Sequence, residues 1–313
     1  KMKKNTFQKF ESKLLNTLLF LIPVASLIFP AILFGYPILH PDTKTYAYSG
    51  FANFIPFDRP IGYGWFMRHI SLSFSFWLVI IAQSVILVLQ IQWINKFVFR
   101  FKEYRAITAV LLTALSTLSY ASLYTSMLMP DIFAVYIILG FWLLIFTRDV
   151  PAPIKVFTFI LLAYCNFSHF SNIALSILMT LFLVIYALLR KERKFYRLSF
   201  FFTAIIIVSL LATKFANQAV DGTEKLSKGK NIILMARLIE TGVIQDYLQN
   251  YDKEYEYSLT HEIDRLNSLN SVADFVWNPD SPLFDGDCSE VSYKHCWEVK
   301  NDEYGEIIEN TLK

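Results

Sequence analysis

Charged residues are scarce in this 313-residue chain. They make up 18% of it, whereas 55% is hydrophobic and 17% aromatic, and the mean hydropathy is +0.41. A soluble globular domain has about 25% charged residues. The composition therefore excludes an ordinary soluble domain and indicates an integral membrane protein.

Two kinds of catalytic motif are also missing. The sequence has no HExxH metal-ligand spacing and neither of the usual Gly-rich phosphate loops, and it contains only 10 glycines. These absences argue against a cytosolic nucleotide as the substrate. They leave no cofactor directly indicated by a motif.

Long uncharged runs fill most of the chain up to Thr213. They predict an all-α, polytopic bundle of about seven membrane spans, because a helix needs roughly 20 apolar residues to cross a hydrocarbon core of about 30 Å. The runs are continuous rather than alternating, which argues against strands. The first run is too long for a signal-peptide core, so we expect a retained span. The expected spans lie near residues 14–36, 71–94, 106–128, 132–147, 156–167, 170–189 and 198–213.

Lys and Arg near the span ends predict the orientation. One side collects the basic residues before the first span and those of the loops near residues 96–105, 148–155 and 190–197. The short loops of the other side hold only Lys44, Arg59 and Arg68. The N-terminus is therefore expected to be cytoplasmic, and the polar stretch Leu39–His69 to face outward.

The charge balance changes sign along the chain. Up to Thr213 there are 19 Lys plus Arg and 7 Asp plus Glu, and after it 10 and 19. We expect a membrane domain over residues 1–213 and an acidic, mostly helical extracytoplasmic domain over 214–313. An oxidising compartment would allow Cys288 and Cys296 to pair. The scattered basic residues and the acidic tail argue against nucleic acid as a partner.

An unusually long uncharged run extends from Val156 to Leu189. It is too long for one helix and too short for two full spans with a loop. The polar cluster Asn166–Asn172 predicts the break. A helix from Lys155 rises about 18 Å before this cluster, which places His169 at membrane depth, where irregular polar backbone is tolerated only inside protein or beside water.

Several polar residues are predicted to gather on the outer side, namely Asp42, Asp58, Asp131, His69 and His169. A carboxylate at a membrane-edge cavity can act as a general base toward a hydroxyl or bind a cation. Each also has a structural alternative. Asp42 can be a turn or helix-cap residue. Asp131 can be a carboxylate that stabilises the N-terminus of its helix through the helix dipole, and His169 can be a structural residue that is hydrogen-bonded within the helix bundle.

The segment Asp58-Arg59-Pro60-Ile61-Gly62-Tyr63-Gly64 combines an ion-capable pair with residues that fix the backbone. Arg suits phosphate because its guanidinium donates in a bidentate manner. The alternative is a tight turn with a local ion pair. Arg68 and His69 follow, and they either reach the same cavity or mark the membrane interface.

These elements resemble the GT-C superfamily of polyprenyl-phosphate-dependent glycosyltransferases. The matching residues are Asp42 after the first span, Tyr46 or Tyr48, the element Arg59-Pro60-Ile61-Gly62-Tyr63, and Asp131 at a second acidic position. The resemblance covers roughly residues 10–210 through short motifs. The first loop departs from the pattern, since it has one acidic residue where many members have an adjacent pair.

The resemblance implies a GT-C-like core in a bacterial cytoplasmic membrane and an inverting sugar transfer. The donor would be a polyprenyl-phosphate-linked sugar, and the acceptor a glycan, a lipid or a protein. Asp42 would deprotonate the acceptor hydroxyl and Arg59 would stabilise the departing phosphate. Asp131 would be the second catalytic carboxylate, and Asp42, Asp131 or His169 would hold a divalent cation if the reaction uses one. The substrate-binding residues would be Lys44, Tyr46, Arg59, Tyr63, Arg68, His69 and His169.

Two other functions stay open. One is a non-catalytic component of envelope-glycan transport or assembly that binds a lipid-linked glycan, and the other is a transferase that uses a different lipid substrate. A transporter should show polar groups along a whole pathway and a pair of broken helices in its two halves. The polar groups of this sequence cluster on one side, which favours a transferase.

Overall fold

A computed structural model describes residues 2–147, 149–250, 257–285 and 293–313, with side chains from residue 11 onward and, in the last of these segments, from residue 296. Across these residues the chain is helical and forms no strand. The α-helices are α1 (Met2–Leu27), α2 (Phe29–Phe34), α3 (Thr43–Ala52), α4 (Gly62–Ser71), α5 (Trp77–Trp93), α6 (Tyr104–Leu118), α7 (Ala121–Ser126), α8 (Ile132–Phe146), α9 (Ala152–Ser168), α10 (Phe170–Arg190), α11 (Arg193–Asp221), α12 (Lys230–Glu240), α13 (Val243–Asn250), α14 (Ile263–Ser268), α15 (Val272–Trp277) and α16 (Tyr293–Thr311).

The chain folds as two compact units. The first comprises Lys1–Ile55 and Pro60–Glu224, and the second comprises Pro56–Arg59 and Lys225–Lys313. Helix α11 continues to Asp221 without interruption, beyond the domain boundary that the sequence suggested. The second unit also takes four residues from the stretch between the first two expected spans.

Three helical segments of the first unit are long and apolar enough to cross a membrane. They are Trp77–Val98, which joins α5 to a short π-helical segment, together with α10 and α11. Helices α6, α8 and α9 are apolar but shorter. The all-helical class and the membrane character are therefore confirmed. The bundle of about seven spans is not.

Two of the expected spans are divided. The first breaks at Ile28 between α1 and α2, where Pro30 lies in the first turn of α2 and has no backbone N–H to continue the helical ladder. The expected span at 106–128 breaks at Ser119, which is extended and separates α6 from α7. The Ser119 hydroxyl donates to the carbonyl of Leu115 at 2.6 Å and accepts from the amide of Ala121 at 3.2 Å. Serine competes with helical hydrogen bonding in this way.

The predicted break of the long uncharged run is confirmed. Helix α9 ends at Ser168, His169 is extended with φ −158° and ψ 135°, and α10 begins at Phe170. The polar residues beside the break bond to the two helices. The Asn172 amide donates to the carbonyl of Cys165 at 2.9 Å, and the Ser176 hydroxyl donates to Asn166 Oδ1 at 2.8 Å.

The second unit has its own core. Helix α16 packs on α12, its buried Tyr304 packs on Phe275 of α15, and its buried Trp297 packs on Trp277. The segment Pro56–Arg59 joins this unit through the Gly229 amide, which donates to the carbonyl of Phe57 at 2.9 Å. Cys296 is buried in α16, whereas Cys288, its expected partner, lies outside the described residues.

Candidate functional site

A short backbone pairing connects the segments that precede two acidic residues of the first unit. The Ile38 amide donates to the carbonyl of Ser126 at 2.9 Å, and the Leu128 amide donates to that of Ile38 at 3.0 Å. The Thr43 hydroxyl then donates to the carbonyl of Leu128 at 3.1 Å. Each of the paired segments ends at a helix N-cap, Asp42 for α3 and Asp131 for α8.

Asp42 is accessible and has a histidine beside it. The Asp42 side chain is 41% exposed, and its Oδ2 lies 3.8 Å from Nδ1 of His40. The same Nδ1 accepts the Asp42 amide at 3.3 Å, so a neutral His40 carries its proton on Nε2. An exposed carboxylate with a second titratable group at its side suits proton transfer. His40 escaped the sequence reasoning, and its signal was the two-residue spacing to Asp42.

Asp131 is exposed at the start of α8. Its side chain makes no cap hydrogen bond to its own helix. The positive end of the helix dipole still stabilises the negative charge of the carboxylate. Burial raises the pKa of Tyr63 well above its ordinary value, and Tyr46 and the Asp131 carboxylate add to that rise. The negative charge of Asp131 therefore acts on the buried Tyr63 hydroxyl.

An apolar groove of about 470 Å³ begins at Asp131. It follows one face of α8 through Ile132, Val135 and Leu139, a rise of about 12 Å. Asp131 and Tyr124 supply its polar groups, and aliphatic residues supply the rest. Its lining comprises Leu87, Ile91, Leu112, Leu115, Ala121, Tyr124, Asp131, Ile132, Val135 and Leu139. The groove suits an apolar chain that carries a polar group at one end.

Gln83 of α5 holds the backbone behind the two carboxylates. Its Oε1 accepts the Tyr63 hydroxyl at 2.7 Å, and its Nε2 donates to the carbonyls of Thr125 and Met127 at 3.2 and 3.0 Å. The Tyr136 hydroxyl donates to the Gln83 carbonyl at 2.6 Å. Gln83 is fully buried, so the network fixes the segment that precedes Asp131. Sequence reasoning missed this residue, because a single Gln in an apolar span carries no pattern.

The expected substrate contacts of Tyr46 and Tyr63 need correction. Their side chains are 1% and 0% exposed, and their rings pack edge to face with centroids 5.1 Å apart. They lie inside because α3 and α4 approach closely at Gly50 and Gly64, where a Cβ on Gly64 would lie 2.7 Å from the carbonyl oxygen of Tyr46. Tyr48, the alternative match, is 54% exposed.

The basic residues near Asp42 are placed differently from one another. Lys44 is exposed in the first turn of α3, next to Asp42. Arg68 of α4 donates to the carbonyl of Gly50 at 3.3 Å. Gly50 lies eight residues after Asp42, which corresponds to about 12 Å of helical rise along α3. His69 is exposed and its Nδ1 pairs with the carbonyl of Trp65 at 2.7 Å. Lys44 is therefore the cation best placed to act with Asp42.

Arg59 belongs to the second unit and is bound by its neighbour. Its Nε donates to Asp58 Oδ2 at 2.8 Å, and Nη2 donates to the same oxygen. The two side chains are only 11% and 17% exposed. This geometry is the local ion pair that the sequence left open as the alternative to phosphate binding.

His169 is the N-cap residue of α10. Its Nδ1 accepts the Ser171 amide at 3.2 Å and pairs with the Ser171 hydroxyl at 2.6 Å. The preceding turn of α9 packs on the start of α4, where the Tyr164 hydroxyl donates to the carbonyl of Gly62 at 3.0 Å. These contacts give His169 a structural role, whereas a substrate contact by His169 stays a prediction.

A divalent cation held by Asp42, Asp131 or His169 stays a prediction. Among the described residues no three His, Cys, Asp or Glu side chains lie close enough to hold a metal ion. Comparisons with protein-family models, curated proteins and solved structures gave no match. The chemistry of the site is therefore inferred from its own residues.

Proposed function

We propose that the protein is an inverting membrane glycosyltransferase of the GT-C type. It would transfer a sugar from a polyprenyl-phosphate donor to a hydroxyl acceptor on the outer side of a bacterial cytoplasmic membrane. The proposal includes the topology of about seven spans with a cytoplasmic N-terminus and an extracytoplasmic C-terminal unit. The proposal combines the family resemblance of the sequence with the residues that are accessible in the fold, namely Asp42, Lys44 and Asp131.

The observation that carries the proposal is the backbone pairing between the segments that precede Asp42 and Asp131. The two acidic residues are far apart in sequence, yet the pairing of Ile38 with Met127 joins the segments that lead to them. Ionisable residues within membrane domains are rare and tend to be functional. The buried Gln83 network rigidifies the same place, as a catalytic site requires.

In the proposed reaction Asp42 accepts the proton of the acceptor hydroxyl. The hydroxyl oxygen forms a bond to the anomeric carbon, and the bond from that carbon to the phosphate oxygen breaks on the opposite face. The polyprenyl phosphate leaves with the bonding electron pair. Lys44, which is exposed two residues after Asp42, stabilises the negative charge on the leaving phosphate. Asp42 later releases its proton to water.

Asp131 is assigned to the acceptor rather than to the donor. Its carboxylate would repel a phosphate, but it accepts a hydrogen bond from a hydroxyl group. The groove that begins at Asp131 is otherwise apolar. Among the three acceptor classes, this combination favours a lipid that bears a hydroxyl headgroup.

The test is turnover by the purified full-length protein in liposomes that contain a polyprenyl-phosphate sugar and a hydroxyl-bearing lipid. Asp131→Asn should raise the KM for the acceptor more than that for the donor, and Lys44→Gln should act on the donor. Asp149→Asn is the matched control, since Asp149 lies beyond the other end of α8 and pairs with Arg100. Donor binding without release of polyprenyl phosphate under all conditions would instead support the non-catalytic glycan-binding alternative.

A further inference from the structure

A second cavity of the first unit lies away from the two carboxylates. It has a volume of about 680 Å³ and is lined by Leu144, Thr147, Lys155, Phe159, Glu192, Arg193, Lys194, Arg197, Leu198 and Phe201. Helix α8 begins next to Asp131, and Leu144 lies in its last turn. The cavity is therefore about 20 Å along α8 from Asp131. The charge rule applied to the sequence predicts that this end is cytoplasmic.

The lining is strongly cationic. The lining contains four cationic residues, Lys155, Arg193, Lys194 and Arg197, and one carboxylate, that of Glu192. Arg193 and Arg197 are exposed and four residues apart on the first turns of α11, so they project from one side of the helix. Helices α9 and α11 begin at this end whereas α8 and α10 end there, so the helix dipoles oppose one another and the side-chain charges set the potential. The cavity thus favours an anion.

Apart from Thr147, apolar side chains form the rest of the wall. Phe159 is on α9, whereas Leu198 and Phe201 are on α11, one of the segments able to cross a membrane. Lys194 already donates to the carbonyl of Ile145 at the C-terminal end of α8, which anchors one cation in place. A free inorganic anion would leave the apolar wall unused. A phospholipid would place its phosphate among the cations and its chains along this wall.

We infer that this cavity binds the headgroup of an anionic phospholipid. A basic pocket between membrane helices has the chemistry that such headgroups require. The site is independent of the proposed transfer reaction, because none of its lining residues takes part in it. A lipid bound at this site would mark the end of the first unit that contacts the anionic leaflet. The bound lipid would also stabilise the packing of α9, α10 and α11.

The test is thermal unfolding of the detergent-solubilised full-length protein with added phosphatidylglycerol, phosphatidylcholine or inorganic phosphate. Phosphatidylglycerol should raise the Tm, and the other two should not. The double substitution Arg193→Gln/Arg197→Gln should weaken this effect, with an apparent affinity lower by about tenfold or more. The matched control is Arg190→Gln/Lys191→Gln, which removes the same charge from the adjoining turn, outside the cavity.

Three outcomes would overturn the inference. One is an equal loss of the lipid effect in the control double variant, which would mean that interfacial charge alone attracts the lipid. Another is an equal Tm rise with inorganic phosphate. The third is an unchanged phosphatidylglycerol effect in Arg193→Gln/Arg197→Gln. Native mass spectrometry of each variant would confirm whether phosphatidylglycerol stays bound, independently of any change in folding.

Discussion

The hydroxyl of Tyr63 donates a 2.7 Å hydrogen bond to Oε1 of Gln83 in a fully buried setting. Tyr63 belongs to the sequence element that resembles a sugar-transferase motif, yet its polar group is used inside the protein. The contact links α4 to α5, and through Gln83 Nε2 to the segment before Asp131. Tyr63 therefore has a structural role, because it helps Gln83 to fix the backbone that precedes Asp131.

Tyr63→Phe tests this supporting role. The substitution leaves Gln83 Oε1 buried without its donor, which costs about 1–3 kcal/mol. We expect a lower Tm with the donor KM unchanged, because the ring is covered and touches no substrate. Thermal unfolding and donor kinetics measure the two effects. A higher donor KM with an unchanged Tm would show instead that Tyr63 contacts the sugar.

Gly64→Ala should disrupt the contact between α3 and α4. Its new Cβ would lie 2.7 Å from both the Tyr46 carbonyl oxygen and the Gly50 nitrogen, and backbone atoms cannot move aside cheaply. Overpacking of this kind costs about 1–3 kcal/mol. Gly140→Ala is the control, since its nearest neighbour is the flexible end of Leu162 at 3.0 Å. Equal Tm losses in the two variants would contradict the assigned close approach.

His169 offers a test of its capping role. Its ring accepts the Ser171 amide at the start of α10. His169→Ala should lower stability by about 1 kcal/mol, whereas His169→Asn should largely retain it, because Asn is a favoured N-cap residue. Thermal unfolding of both variants measures the difference. If they are equally stable but both lose turnover, His169 acts on the substrate instead.

The ion pair of Asp58 and Arg59 makes a prediction for the second unit. Asp58→Asn leaves a mostly buried guanidinium without its carboxylate, so we expect a loss of about 2–3 kcal/mol. Asp280→Asn, at an exposed position of the same unit, is the control. Hydrogen exchange of the full-length protein should show the loss near residues 56–59 and 225–231, which pair through Phe57 and Gly229. Unchanged exchange in this region would contradict the structural role of the pair.

The features that the sequence predicted correctly depend on local pattern. The membrane character followed from scarce charge, and the break at His169 followed from the length of one uncharged run. Both are properties of consecutive residues. The divided expected spans were missed because hydropathy alone does not register the effect of Pro30 or Ser119 on helical hydrogen bonding.

The burial of individual side chains was harder to predict. Tyr46 and Tyr48 match the resembled motif equally well, and only the close approach of α3 and α4 at Gly50 and Gly64 decides which of them is covered. Residue type likewise predicts Arg59 as a phosphate ligand but does not predict its bond to Asp58 or its place in the second unit, and the phosphate contact stays a prediction. Such outcomes depend on contacts between residues distant in sequence.

The central claim is that Asp42 is the general base. The most direct measurement is the rate of polyprenyl phosphate release by Asp42→Asn, relative to Asp149→Asn, in liposomes with saturating donor and acceptor. General-base catalysis contributes about 100-fold or more, so we predict a kcat loss of at least that size with the Tm and donor binding retained. Full turnover by Asp42→Asn would contradict the account.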